Sequence, residues 1–383
     1  MSNDNCVPVP KNNIEYPFFA YGIFKPGQLA FSKIEKYVDE ICYNSINYQM
    51  YIRDGVPVIG DEEKEIFKTY GYLIKFKKGR EKKAYKIISN TESFDLYEWA
   101  EIKSGAVDCK VLIGKSLEKG NPYLEPGEVE FNGHNDPLFN EALELIDGYL
   151  IEMRIFNRRG GISEEIKNFF VLQMHYMLLW AAIDRFSSLK YNQEKISQNN
   201  YCFSQDPVFI NTLEKLNVEK RNIFTTDNLF KYELTDEKSN WAINYYYKVR
   251  CNIVHRGKTI SNDYMDVFDS MKELSEIFKE VLKDTFNIVT INGINFNIPY
   301  GLKEVSCEND SIKIFKKDES NLIKGIPNYS IEIIDLARIK NNGEILINSK
   351  NMYKVNSKLF EIQIKGDYDD KNKIIRYLNE KLR

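Results

Sequence analysis

One short stretch of the chain holds side chains that together can handle a phosphodiester. It reads Tyr245-Tyr-Tyr-Lys-Val-Arg250-Cys-Asn252-Ile-Val-His255-Arg256-Gly257. The imidazole of His255 can give and take protons near neutral pH, since an unperturbed histidine titrates at about 6.5. Arg250 offers a permanently charged planar fork for phosphate oxygens. Asn252 can fix the imidazole tautomer or donate to phosphate, and Arg256 adds charge. Cleavage of RNA by its own 2′-hydroxyl needs such a set: a base, an acid for the departing oxygen, and positive charge for the phosphorane. It requires no metal and no cofactor. On an ideal helix five residues turn through about 500°, leaving Arg250 and His255 roughly 140° apart. They share a tight face only if the helix loosens before Gly257. The structural alternative has His255 at a helix C-terminus, where a cation is favoured, and Arg250 paired with a carboxylate.

These residues carry a resemblance to the HEPN ribonuclease family, whose motif is an Arg and a His with four to six residues between them, near the end of a late helix. An Asn two after the Arg and an Arg-Gly after the His match the family here. The earlier run Leu178-Leu-Trp-Ala-Ala-Ile-Asp184-Arg-Phe matches its apolar helix with an acidic residue. The resemblance covers about a third of the chain. It implies a helical bundle, a homodimer in which two motifs converge on one cleft, and catalytic roles around Arg250, Asn252, His255, Arg256 and Asp184. It also implies transient RNA binding, in stress response or defence against phage.

A second set of residues lies near the start. Ala20-Tyr21-Gly22-Ile23-Phe24-Lys25-Pro26-Gly27 is followed by Asp54-Gly-Val-Pro57, then Tyr70-Gly71-Tyr-Leu73, then Ile88-Ser89-Asn-Thr-Glu92 and Tyr97-Glu98-Trp-Ala-Glu. This order resembles the γ-glutamylcyclotransferase-like family, a mixed β-barrel fold, over about a hundred residues. The resemblance implies that Tyr21, Gly22, Ile23 and Phe24 cradle a substrate through backbone groups. Glu92, with Glu98 as its rival in register, would move a proton as an amine attacks a side-chain amide. Phe24 and Ser89 depart from the family's leucine and aspartate. A barrel retained to bind a small ligand or regulatory protein, or to control a dimer, is the alternative to live cyclotransfer.

The elements that must position these residues divide the chain into parts, as its 383 residues exceed one ordinary core. The expected fold class is multidomain α+β. A γ-glutamylcyclotransferase-like barrel spans 14–125, a linker or extension 126–160, an all-α HEPN-like bundle 161–285, and a β-rich domain 286–383. In the first part, Tyr16 to Phe24 reads as a buried strand feeding the Lys25-Pro-Gly27 turn, with further strands at Tyr70 and Tyr97. Asn121 to Asn135 reads as a loop. In the bundle, Ser163 can cap a helix whose apolar face runs Phe169, Leu172, Tyr176, Leu179, Ala182 and Phe186. A second helix runs from Asp236 to Gly257. A third opens near Ser261 and continues through Met265, Phe268, Met271, Leu274, Phe278, Val281 and Leu282. His175 reads as a hydrogen-bonded core residue and His134 as part of a turn. Asn292-Gly293 and Asn341-Asn-Gly343 between alternating runs predict hairpins, and 371–383 a closing helix.

Net charge is −3, from 53 basic against 56 acidic residues, so contact with RNA must come from a local patch rather than a broad basic surface. The six cysteines are scattered without a Cys-x-x-Cys pair, which predicts free thiols and no zinc site. The polar first residues and an apolar run interrupted by Gln173 and His175 predict a cytoplasmic protein without a membrane segment.

Overall fold

The computed structural model describes residues 6–53, 56–115, 121–122, 128–155, 162–224, 230–256, 260–305, 312–326, 328–336, 352–355, 358–366 and 378. The chain is mixed α+β and separates into two compact units. One is Asn132–Asp284; the other joins Ser2–Phe131 to Thr285–Arg383. The two ends of the chain, separate domains in the sequence reading, thus share one unit.

In the first part of the sheet unit, β1 (Phe18–Ala20) leads through a loop to the short helix α1 (Phe31–Ile34). The strands β2 (Val38–Ile46), β3 (Tyr48–Arg53), β4 (Val56–Glu63) and β5 (Lys68–Phe76) follow. Then come α2 (Glu81–Thr91), β6 (Tyr97–Ser104), β7 (Val107–Gly114), β8 (Asn121–Pro122) and β9 (Glu128–Glu130). The main sheet runs β2-β5-β1-β7-β6, with β9 beside β5, and a smaller sheet runs β4-β3-β8. Among the described residues these sheets stay open, so the expected closed barrel is not formed. The segment read as a loop around residue 128 instead supplies β9, parallel to β5.

Strand β1 is central and buried on both faces, which is why it reads as an unbroken apolar run. Phe19 and Tyr21 enter one core with Met50, Ile59, Leu73 and Val111. Phe18 and Ala20 enter the other with α1, α2 and Leu112. Gly71 on β5 makes this pairing feasible: a Cβ there would lie 2.5 Å from the Ala20 carbonyl oxygen. Lys25, read as a turn residue, is buried instead; its ammonium reaches Glu130 at 2.6 Å and the Phe131 carbonyl at 2.7 Å.

The helical unit holds α3 (Glu141–Ile155), α4 (Ile162–Tyr191), α5 (Ile196–Ser204), α6 (Pro207–Leu216), the hairpin β10 (Arg221–Phe224) and β11 (Lys231–Leu234), α7 (Ser239–Arg256) and α8 (Ile260–Thr285). The apolar face expected of α4, from Phe169 to Phe186, is fully buried. Rings of Phe139, Phe186, Phe203 and Phe278 meet edge to face across the helices. Helix α4 already begins at Ile162, so Ser163 sits inside its first turn rather than at the cap. Pro207 and the Asp206 side chain, which accepts from Val208 N–H, start α6, and left-handed Asn217 ends it. Helix α3 occupies residues read as linker. His134 lies in a 3-10 turn. His175 is half-buried rather than in the core: Nδ1 contacts the Val171 carbonyl at 2.8 Å, and the ring stacks on Tyr149.

The last part of the sheet unit opens with β12 (Ile288–Ile291) and β13 (Ile294–Asn297). The expected hairpin has positive φ at Asn292 and Gly293. Then β14 (Leu302–Val305), β15 (Ile312–Lys317), β16 (Tyr329–Asp335), β17 (Met352–Val355) and β18 (Lys358–Gly366) form an antiparallel sheet in the order β14-β15-β16-β18-β17. The Asn341 hairpin lies outside the described residues, as does the closing helix apart from Leu378. This part grips α1 and β2. Phe31 packs edge-on against Tyr300, whose hydroxyl donates to Glu35. Lys324 exchanges backbone hydrogen bonds with Asp39 and Ile41.

Candidate active sites

Helices α4 and α7 bring two of the predicted bundle residues into electrostatic reach. Asp184 lies one turn after Trp180 on α4, and Arg250 lies one turn after Tyr247 on α7. The Trp180 and Tyr247 rings meet edge to face at 5.3 Å, and the Arg250 guanidinium sits 5.4 Å from the Tyr247 ring centre. Burial pushes the Asp184 carboxyl up, and the positive charge of Arg250 pulls it back. Arg250 Nε is sealed from solvent and has no acceptor among the described residues, and the guanidinium lies against the Tyr247 ring.

His255 is exposed near the end of α7, while Arg250 is half-buried. The helix continues unbroken through Arg256, so the two side chains keep the angular offset of an ideal helix within one chain. The Arg256 side chain lies outside the described residues, as does Gly257. Asn252 Nδ2 donates to the Phe224 carbonyl at 2.9 Å, tying α7 to β10 and leaving the second amide hydrogen for another acceptor.

The second site forms where the chain leaves the carboxyl end of β1. Tyr21 is buried; its hydroxyl donates to the Leu112 carbonyl at 2.7 Å. Burial, then the nearby Glu92 carboxylate, holds its phenol well above the usual range, against a bond from the Ile59 backbone. Gly22 follows against Pro57, where a Cβ would lie 3.0 Å from Cγ. Pro57 is in turn fixed by Tyr97, whose hydroxyl donates to its carbonyl at 2.8 Å. The carbonyls of Gly22 and Ile23 accept from Lys25 and Ala30 N–H. The amides of Gly22, Ile23 and Phe24 make no hydrogen bond among the described residues. Phe24 fills the core against Phe18. Ser89 is buried and accepts from Trp99 Nε1.

Glu92 is the C-cap of α2. Its backbone is bonded on both sides, N–H to Ile88 and carbonyl from Val7. Its side chain is half-buried, and burial pushes its carboxyl up to about 7, against the pull of Lys33. A carboxyl group poised there can accept or donate a proton at neutral pH. Glu98 is exposed on β6, on the face opposite buried Tyr97; strand alternation turns it away from the loop. Lys33, on α1, is the residue sequence reasoning missed. Burial lowers its ammonium to about 8, and Glu92 counteracts this. Nothing in its local sequence marks it, since it enters the site only through the fold.

Among the described residues no cluster of His, Cys, Asp and Glu is arranged to hold a metal ion, and no helix is long and apolar enough to cross a membrane. No family model, curated protein or solved structure matches the chain.

Proposed function

We propose that the chain is a metal-independent endoribonuclease of the HEPN type, working as a homodimer through its helical unit. The observation that carries this reading is that His255 is exposed on the same helix as half-buried Arg250, five residues further along it; the nearby Asp184 carboxyl is a neighbour that a purely structural Arg250 would also have. A single copy cannot bring His255 and Arg250 to one phosphate while α7 stays helical; a second copy supplies the missing half. The exposed apolar residues Phe170 and Met174 on α4 and Met265 on α8 give a surface for that partner. The Phe169–Tyr264 ring contact brings those stretches of α4 and α8 together. In this reading His255 moves the protons and Arg250 stabilises the phosphorane. The biological setting consistent with such an activity is stress response or phage defence, in the cytoplasm. The test is RNA cleavage by the purified chain in EDTA, compared with His255→Ala.

The Glu92 site favours a second reading, in which residues 14–125 are a γ-glutamylcyclotransferase-like domain. A carboxyl group near pH 7, beside Tyr21 and a loop with uncommitted amides, suits attack of an amine on a γ-glutamyl amide. Glu92 would take the amine proton and return it to the leaving nitrogen. The same pocket serves equally as a sensor that binds such compounds and governs the helical unit. Release of 5-oxoproline that disappears in Glu92→Gln supports catalysis; its absence from the wild type refutes it.

A further inference from the structure

Helix α7 holds no Asp or Glu in a chain whose net charge is −3, while Lys248, Arg250, His255 and Arg256 all lie on it. Its faces are ordered. Ala242, Tyr245, Tyr246 and Val249 are fully buried on the inner side. Seven residues turn through about 700°, only about 20° short of two full turns, so Trp241, Lys248 and His255 fall on one line along the outer side. Asn244 and Asn252 stand four residues to either side of Lys248 and flank that line. Within one copy, this line and not Arg250 shares a face with His255.

The side chains on the line are available to something outside the chain. Trp241 is 43 % exposed, and Lys238 Nζ lies over its ring at 3.9 Å. Lys248 has no salt bridge or hydrogen bond to any described residue, and its Nζ sits 5.7 Å from the centre of the Tyr232 ring. Tyr232 is set there by the β10–β11 hairpin, which Asn252 pins to α7 through the Phe224 carbonyl. An exposed ring or an unpaired lysine is ordinary alone. Aligned on an acid-free helix, they match a polymer that alternates flat bases with single negative charges. Asp236 and Glu237 lie just ahead of α7, so the phosphate belongs at Lys248 and the base at Trp241. An exposed lysine–ring contact is weaker than a base–aromatic stack, so Lys238 yields to a base. From Trp241 to His255 the helix rises about 20 Å, the reach of a few nucleotides of extended strand.

We propose that the outer face of α7 is a track for single-stranded nucleic acid, with a base stacked on Trp241 and a phosphate held by Lys248, leading to His255. A duplex is disfavoured, because its bases stack on one another and none is offered to Trp241. Neither contact reads a 2′-hydroxyl, so the track takes DNA strands as well as RNA. The inference rests on the reading of the helical unit as a nucleic-acid site and adds the residues that hold the strand; it needs no cleavage.

The test is fluorescence anisotropy of the full chain with labelled oligodeoxythymidine, which lacks the 2′-hydroxyl and so stays intact, titrated over a range of salt. Trp241→Ala weakens binding about tenfold and leaves the salt dependence unchanged. Lys248→Met makes the log–log salt slope shallower by about 0.7, the share of one phosphate contact on a single strand. Trp241→Phe and Lys248→Arg keep most of the affinity, which separates these effects from loss of fold. A duplex with oligodeoxyadenosine binds at least about tenfold more weakly than the strand alone. No binding of the strand, a duplex bound equally well, or wild-type behaviour of both Trp241→Ala and Lys248→Met overturns the proposal. The predicted DNA binding without RNA cleavage removes the nuclease reading and leaves the track standing. RNA cleavage with DNA binding indifferent to both substitutions does the reverse.

Discussion

The two units carry their candidate chemistry in opposite ways. In the helical unit, the polar residues sit on two long helices whose faces follow from three-and-four spacing, and the reactive His255 is left at the surface. In the sheet unit, the chemistry is gathered around a partly buried carboxyl group from a loop after β1, the single turn of α1 that soon follows it, and the end of α2, which lies more than fifty residues further along the chain. The first site is incomplete within one copy and calls for a partner. The second is built within one unit and calls for a ligand. A carboxyl reaches the neutral range only through burial of the kind that surrounds Glu92.

The largest expected effect sharpens the helical side. His255→Ala lowers RNA cleavage by about 100-fold or more, the usual weight of a positioned proton-transfer group, with the melting temperature unchanged because the side chain is exposed. A substantial loss of stability would show that His255 holds the helix end rather than the chemistry.

The next tests the sheet side as a scaffold. Gly325 has φ +84° and comes so close to β2 that a Cβ would lie 1.8 Å from the Ile41 carbonyl oxygen. Gly325→Ala is expected to cost about 2–4 kcal/mol, seen as a lowered melting temperature. Unchanged stability would break the claim that the two ends of the chain form one unit.

Glu92→Gln separates a tuned carboxyl from an ordinary one. The folded state holds the Glu92 proton up to about pH 7, while the unfolded chain releases it near 4.5. Stability therefore falls as pH rises between those values, and the penalty is complete above them. At pH 7.5 the Gln variant is expected to be more stable than the wild type by about 1–3 kcal/mol, and at pH 4 nearly equal. Denaturant melts at the two pH values measure this. A variant less stable at pH 7.5 contradicts the uncompensated carboxylate.

The smallest effect is the coupling of Asp184 and Arg250. A double-mutant cycle with Asp184→Ala and Arg250→Ala is expected to give about 1 kcal/mol of interaction in stability. Zero coupling would mean that the two share only proximity.

The difference between the units also governs how much could be read from sequence. The apolar faces of α4 and α8 are periodic, and the Asn292-Gly293 turn needs positive φ, so these were legible. Met265 is exposed and Phe268 only half-buried, so the face expected of α8 is buried in earnest from Met271 onward. Strand β1 was legible as an apolar run, but its three-residue length and its two cores were not. Helix α3 was missed because its Glu-rich pattern follows a Pro-Gly-Asn stretch that looked like linker. Asp184 and Arg250 were legible one by one through the resemblance, but their nearness comes from how α4 lies against α7, and the Asn252 bond to Phe224 depends on a hairpin with no strong turn signal. Glu92 was found through the order of surrounding motifs. Lys33 was invisible, because one lysine on a four-residue helix acquires meaning only from what folds against it.

The most direct test of the central claim is to incubate the purified chain with single-stranded RNA in EDTA and analyse the new ends. The account predicts cleavage by a dimer, leaving 2′,3′-cyclic phosphate termini that His255→Ala fails to produce. An intact substrate, or the same termini from His255→Ala, would contradict it.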